Sequence, residues 1–221
     1  EGGAIKSDSC ALLLSECGMH LNYAGFGGAV ALSSSSSVTT FTSTTLEGNK
    51  ALAYESTGGD GGALYCLNCG VLKIQDKQDI SAGVIERTRV VRNSAERDGG
   101  AFWIQSAQLE LESIKYIFNT AERGGGGAIF WSPSSFDHKT YVPTVPVSDQ
   151  LWSRRIPLGS PNYKSNTAHF GNNIATISRR VALDIGDSVG LNTPMRAGEL
   201  LPGDLSISIT DHYDQIVTRS F

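Results

Sequence analysis

The chain has 221 residues, a net charge of −4 and a pI near 5.6, and 40% of it is hydrophobic, enough to bury a core. No apolar run approaches the roughly 18 residues a membrane-spanning helix needs, and no basic run is dense enough to follow a phosphate backbone, so neither a membrane span nor a nucleic-acid partner is expected. Its 25 glycines, abundant Ser and Thr and unclustered helix formers point to an all-β fold of short strands and tight turns.

The first residues, Glu1-Gly2-Gly3-Ala4-Ile5, read as the middle of a repeat. Gly-Gly-Ala followed by an apolar residue returns at Gly27-Gly28-Ala29-Val30, Gly61-Gly62-Ala63-Leu64, Gly99-Gly100-Ala101-Phe102 and Gly126-Gly127-Ala128-Ile129. Between these lies a second mark, Asn-x-Ala, at Asn22, Asn49, Asn93, Asn119, Asn166 and Asn173. Three residues before each Asn stands an apolar residue: Met19, Leu46, Val90, Tyr116, Tyr163 and Phe170. An inward apolar side chain, an Asn turn and a small inward Ala fit that order. Glycine supplies positive φ at corners. Asn tolerates the left-handed region, and its amide can bond the amide one repeat away as a ladder.

The spacing sets the architecture. From Gly100 to Gly127 is 27 residues, and within them Phe102/Ile104, Leu109/Leu111 and Ile114/Tyr116/Phe118 alternate with Trp103/Gln105, Glu110/Glu112 and Lys115/Ile117. That predicts three short strands per repeat with no room for a helix, which is one rung of a right-handed, three-sided parallel β-helix. About five rungs are expected over 1–178.

The other Gly-to-Gly spacings are 25, 34 and 38, so the longer two carry insertions. Ser33 to Thr45 is almost all Ser and Thr and reads as a loop or a strand with polar ladders; it is also a candidate for O-glycosylation, whereas no Asn-x-Ser/Thr sequon occurs. Asp76 to Ala82 is a second excursion. The segment 132–161 holds five of the chain's seven prolines and reads as one large loop inserted into the coil. Beyond 178 the repeat ends. A capping or linking segment is expected over 179–202, and Leu205, Ile207 and Ile209 open a second, β-sandwich-like region over 203–221 that stops short. Both ends read as cut from a longer polypeptide, with any targeting sequence outside it.

Of the four cysteines, Cys10, Cys17, Cys66 and Cys69, local pairs 10–17 and 66–69 are the simplest of three connectivities and favour an oxidising compartment. A zinc site would normally show two Cys-x-x-Cys pairs, and there is one.

The Gly-Gly-Ala-apolar and apolar-x-x-Asn marks resemble the repeats of the polymorphic outer membrane protein family of bacteria; very large surface proteins of protists carry similar repeats. Ser165 to Ala175 looks like the last coil of the protist type, which is likewise followed by a segment such as Leu205 to Val217. The resemblance covers about 1–217. It implies a parallel β-helix, an extracellular or cell-surface location, a structural, adhesive or filament-forming role and no catalytic residues. The bacterial form ends in a membrane barrel.

Parallel β-helices also host polysaccharide lyases and hydrolases, whose sites need convergent carboxylates. Glu96, Arg97 and Asp98, one rung above Glu122 and Arg123, are the candidates, weighed against a solvated turn with diagonal Glu–Arg pairs. Gly58-Gly59-Asp60-Gly61-Gly62 echoes a calcium-binding turn, but a single copy reads as a flexible corner. His20, His138, His169 and His212 are scattered without metal spacing, and no cofactor is expected. Trp103 and Trp131 should face opposite sides of the coil, with Trp103 outward. Together with Trp152 they form a candidate contact surface for a protein chain or a glycan. The expected partners are other protein chains, as filament neighbours or by self-association, and glycans.

Overall fold

Where apolar and polar residues alternate between Gly and Asn corners, the backbone is extended and pairs with the equivalent segment one repeat away. The computed structural model describes residues 1–33, 38–55, 57–75, 77–79, 84–86, 88–111, 114–132, 163–185, 205–211, 213 and 215–218. Pairing between repeats is parallel throughout these residues and builds three stacked sheets, a parallel β-helix.

The first sheet runs through Ile5–Asp8, Val30–Ser33, Leu64–Gln75, Phe102–Leu111, Ile129–Ser132 and Ile174–Thr176, with Leu13–Ser15 and Val38–Thr42 stacked along the second half of Leu64–Gln75. The second, five-stranded, stacks Gly18–His20, Thr45–Glu47, Arg89–Val91, Lys115–Ile117 and Tyr163–Lys164. The third stacks Tyr23–Ala24, Lys50–Ala51, Ser94–Ala95 and Thr120–Ala121, and Thr167 extends it by a bridge to Thr120.

The strands divide differently from the alternation alone. Between Gly100 and Gly127, the first two expected strands are one, Phe102–Leu111, because Ser106 takes φ 57° and bends the strand without ending it. The remaining side of the coil is Thr120–Ala121, beyond Asn119, a short strand that carries the small inward Ala.

Register stacks like residues on like. Val30, Leu64, Phe102, Ile129 and Ile174 form one inward column, all fully buried, and Leu32, Cys66, Ile104 and Trp131 form the next. Met19, Leu46, Val90 and Tyr116 project from the second sheet into the same core. Each buried aliphatic or aromatic side chain contributes about 1.5–3 kcal/mol. Tyr116 lies between Phe102, edge-on at 5.4 Å, and Tyr163, stacked at 5.3 Å.

The insertions leave as antiparallel hairpins, Ala53–Tyr54 with Thr57–Gly58 and Lys77–Asp79 with Val84–Glu86. The extra residues of the 34-residue repeat thus include a hairpin after Ala51, while Val38–Thr42 of the Ser/Thr tract is a coil strand with Thr39 and Phe41 buried. Residues 34–37 and the proline-rich stretch 133–162 lie outside the described residues. Past the last coil strand, Ser178–Ile185 pairs antiparallel with Leu205–Asp211, so the described part of the expected linker is itself a strand. Asp211 N–H donates to the Gln215 carbonyl and Val217 N–H to the Ile209 carbonyl, turning the chain back on itself.

Candidate functional site: the coil corners and outer faces

The Asn corner is the most regular feature of the molecule. Asn93 donates its backbone N–H and its side-chain Nδ2 to Asn119 Oδ1, both at 3.0 Å. A second Nδ2 proton goes to the Leu46 carbonyl at 3.0 Å. The same pair of bonds joins Asn22 to Asn49, Asn49 to Asn93 and Asn119 to Asn166, over 2.9–3.1 Å. Asn49, Asn93 and Asn119 are fully buried, so the bonds stand out of competition with water.

The left-handed residue of this corner precedes the Asn. Leu21, Gly48, Arg92, Phe118 and Ser165 have φ of 54°, 66°, 54°, 56° and 52°. Four of these five are not glycine. Each such residue costs about 1–2 kcal/mol, a cost the Asn bonds next to it offset.

Asn173 differs from the other five. The Ala128 and Ile129 amides donate to its carbonyl as the Ala101 and Phe102 amides donate to Ala128, so it holds the Ala place of a Gly-Gly-Ala corner. Its Oδ1 nonetheless accepts from Asn166 Nδ2 at 3.2 Å and terminates the ladder. Phe170, three residues earlier, accordingly bridges Gly125 and packs with Phe130 and Ala175 rather than joining the Met19–Tyr163 column.

The two glycines of each corner have separate tasks. Gly27, Gly61, Gly99 and Gly126 take φ of 59–71°. Gly28, Gly62, Gly100 and Gly127 sit where two backbones pinch, and a Cβ on any of them would fall 2.6 Å from a backbone atom of Lys50, Ser94, Thr120 or Thr167.

The carboxylates proposed as an enzymatic cluster are spent separately. Asp98 is buried, and its Oδ1 accepts from the Gly125 amide at 2.8 Å; Asp60, one coil earlier, accepts from the Asp98 amide at 3.2 Å. Glu96 Oε2 accepts from the Ala53 amide at 2.9 Å. Glu122 pairs with Lys50 at 3.2 Å and Arg97 with Asp60 at 3.7 Å, in place of the expected Glu–Arg diagonals with Arg123. The Gly58–Gly62 turn holds Asp60 inward, and among the described residues no group of His, Cys, Asp and Glu has metal-ligand geometry.

Cys66 and Cys69 are bonded to each other, both fully buried, and Asn68 between them takes φ 55°. The 10–17 pair is not formed; Cys17 Sγ donates to the Ser15 carbonyl at 3.1 Å instead. Trp103 faces outward and stacks on Tyr65, ring centres 4.6 Å apart, with Phe26 beyond at 4.9 Å from Tyr65. Trp131 cannot be part of a contact surface, because it is a core residue at 5% exposure. Trp152, His138 and His212 lie outside the described residues. His169 is exposed and His20 lies 3.7 Å from Glu47.

Two features escaped the sequence reading. Asp211, fully buried, accepts from the amides of Thr176, Tyr213 and Gln215, and Gln215 Nε2 donates to the Ile174 carbonyl, so the final segment is tied across the last coil strand. The outer face of the second sheet gathers Arg89, Arg92, Lys115 and Lys164. Their sequence separations hid them. Burial also holds three tyrosine hydroxyls, on Tyr116, Tyr163 and Tyr213, well above the ordinary phenol range.

No curated protein and no solved structure matches the chain. Residues 43–67 match the family model of the Chlamydia polymorphic membrane protein repeat. They run from Ser43 through the Asn49 corner and the Gly61-Gly62-Ala63 corner to Leu67, one of each of the two marks. Over this window the chain therefore carries a repeat of the polymorphic membrane protein type.

Proposed function

We propose that the chain is a structural and adhesive module of a large cell-surface or extracellular protein, a length of stiff rod that works by meeting other protein chains, and glycans, along its sides. The observation that supports it best is the Asn ladder. Each coil is fastened to the next by the same two bonds, so coils are interchangeable units whose number sets a length. The polymorphic membrane protein repeat at 43–67 supports a surface location. Val181, Ile207, Ile209 and Ile216 are exposed on the terminal hairpin and supply apolar area for another chain.

In this reading 1–178 is the rod, 179–202 closes or links it, and 203–221 opens a second β region. Non-catalytic work fits carboxylates that each serve a local amide or lysine. An antibody to residues 132–161 tests the proposal on fractionated source cells. A band well above 23.5 kDa in surface or shed material is expected. A band near that mass in the soluble interior would overturn it.

A further inference from the structure

We infer that the outer face of the second sheet binds a linear anionic polysaccharide that runs obliquely across successive coils. Arg89 and Lys115 are in register on adjacent coils, and Lys164, one coil further, pairs with Ile117. Arg89 and Lys164 are exposed and Lys115 half-buried. Among the described residues none of the three forms an ion pair within 4.0 Å, whereas Arg92 on the same face is held by Glu47 at 2.9 Å. Arg89 and Lys115 thus stand one coil step of about 4.8 Å apart, and Lys164, a coil further and two residues along the strand, continues them diagonally, in a molecule whose net charge is −4.

Their backbone positions are fixed from behind. Val90 and Tyr116, neighbours of Arg89 and Lys115, are buried in the core, and the Asn93 and Asn119 corners lock the strand ends. A rigid row of charges loses little freedom on binding, which favours a repeating partner over a point anion. A pyranose is about as long as one coil is tall, so an anionic chain lying obliquely across the coils meets Arg89, Lys115 and Lys164 in turn. Ile117 and the half-exposed Phe118 lie beside the row and offer apolar surface to the C–H faces of the rings. This inference rests on the surface-module reading for its choice of partner.

The test is titration of the 221-residue chain with heparin, fully desulfated heparin and dextran. Heparin should bind, dextran should not, and desulfation should weaken binding. The combined variant Arg89→Glu, Lys115→Glu, Lys164→Glu should lose about tenfold or more in affinity, and added salt should weaken the wild-type complex steeply. Arg123→Glu and Lys6→Glu, off the face, should bind as wild type. Circular dichroism verifies the fold, and a triple Gln variant replaces the Glu variant if the latter unfolds. Unchanged binding by a folded triple variant, equal binding of dextran, or binding only to phosphatidylserine vesicles or single-stranded RNA would overturn the inference. Failure here with a large surface-exposed band leaves the module reading standing; heparin binding through these cations with a small interior band removes the module reading alone.

Discussion

Asn93 makes four side-chain hydrogen bonds in a fully buried corner. Asn93→Ala strands the buried Asn49 backbone amide and removes the side-chain bonds to Asn49 Nδ2, the Leu46 carbonyl and Asn119 Oδ1, while the residue 93 N–H still donates to Asn119 Oδ1; an unpaired buried amide alone costs about 1–3 kcal/mol. A loss of about 3 kcal/mol or more is expected in urea unfolding. Asn22→Ala, at the half-buried end of the ladder with one side-chain donor bond to Asn49, should lose about 1 kcal/mol. Equal losses at the two positions would show that the ladder is not what holds the coils. Tyr116 gives the opposite sign. Its hydroxyl is buried without a hydrogen-bond partner among the described residues, so Tyr116→Phe should leave stability unchanged or raise it, read as the melting temperature. The buried tyrosines also set an alkaline limit. Their folded pKa values stand above the unfolded value of 10.0, so their contribution is intact below pH 10 and lost as pH rises above it. The decline should approach about 1.4 kcal/mol per pH unit for each of them. The Asn column was legible because its side chain does the work and cannot be exchanged. The left-handed residue before it was not, since Leu21, Arg92, Phe118 and Ser165 share no chemistry. Asn173 misled because its side chain joins the ladder from another corner.

At the scale of the strand, the disulfide sits on an irregularity. Leu64–Gln75 slips register against Phe102–Leu111 between Leu67 and Gly70, and Cys66–Cys69 spans that slip. Closing so short a loop restricts the unfolded chain by about 2 kcal/mol. Reduction should therefore lower the urea midpoint modestly and slowly, because both sulfurs are buried. No change would mean that the neighbouring coils hold the slip unaided. The local pairing was readable from spacing, but 10–17, with similar promise, is absent, because pairing depends on how Cβ vectors meet and spacing does not give that. Repeat length likewise revealed an insertion between Gly28 and Gly62 without locating its hairpin at 53–58. The basic face is the clearest case. Arg89 and Lys115 lie 26 residues apart and Lys115 and Lys164 lie 49 apart, so only coil register makes them neighbours.

For the molecule as a whole, the parallel β-helix was legible because its two corner marks recur with the coil. The antiparallel end was less so. Asp211 and Gln215 have no counterpart in the repeat, yet they fasten the last segment to Ile174 and Thr176. The coil-to-coil hydrogen bonds run along the stacking axis, which has a mechanical consequence. Tension applied at the two ends does not shear all bonds together; it peels one coil at a time. Each event frees the slack of a single repeat, and the repeats are unequal, at 25, 34, 38 and 27 residues. In a force-extension trace, fully unwound repeats would lengthen the chain by about 85, 115, 130 and 90 Å. A coil stack of this kind should therefore yield in steps, with its notches written in the distances between its glycines.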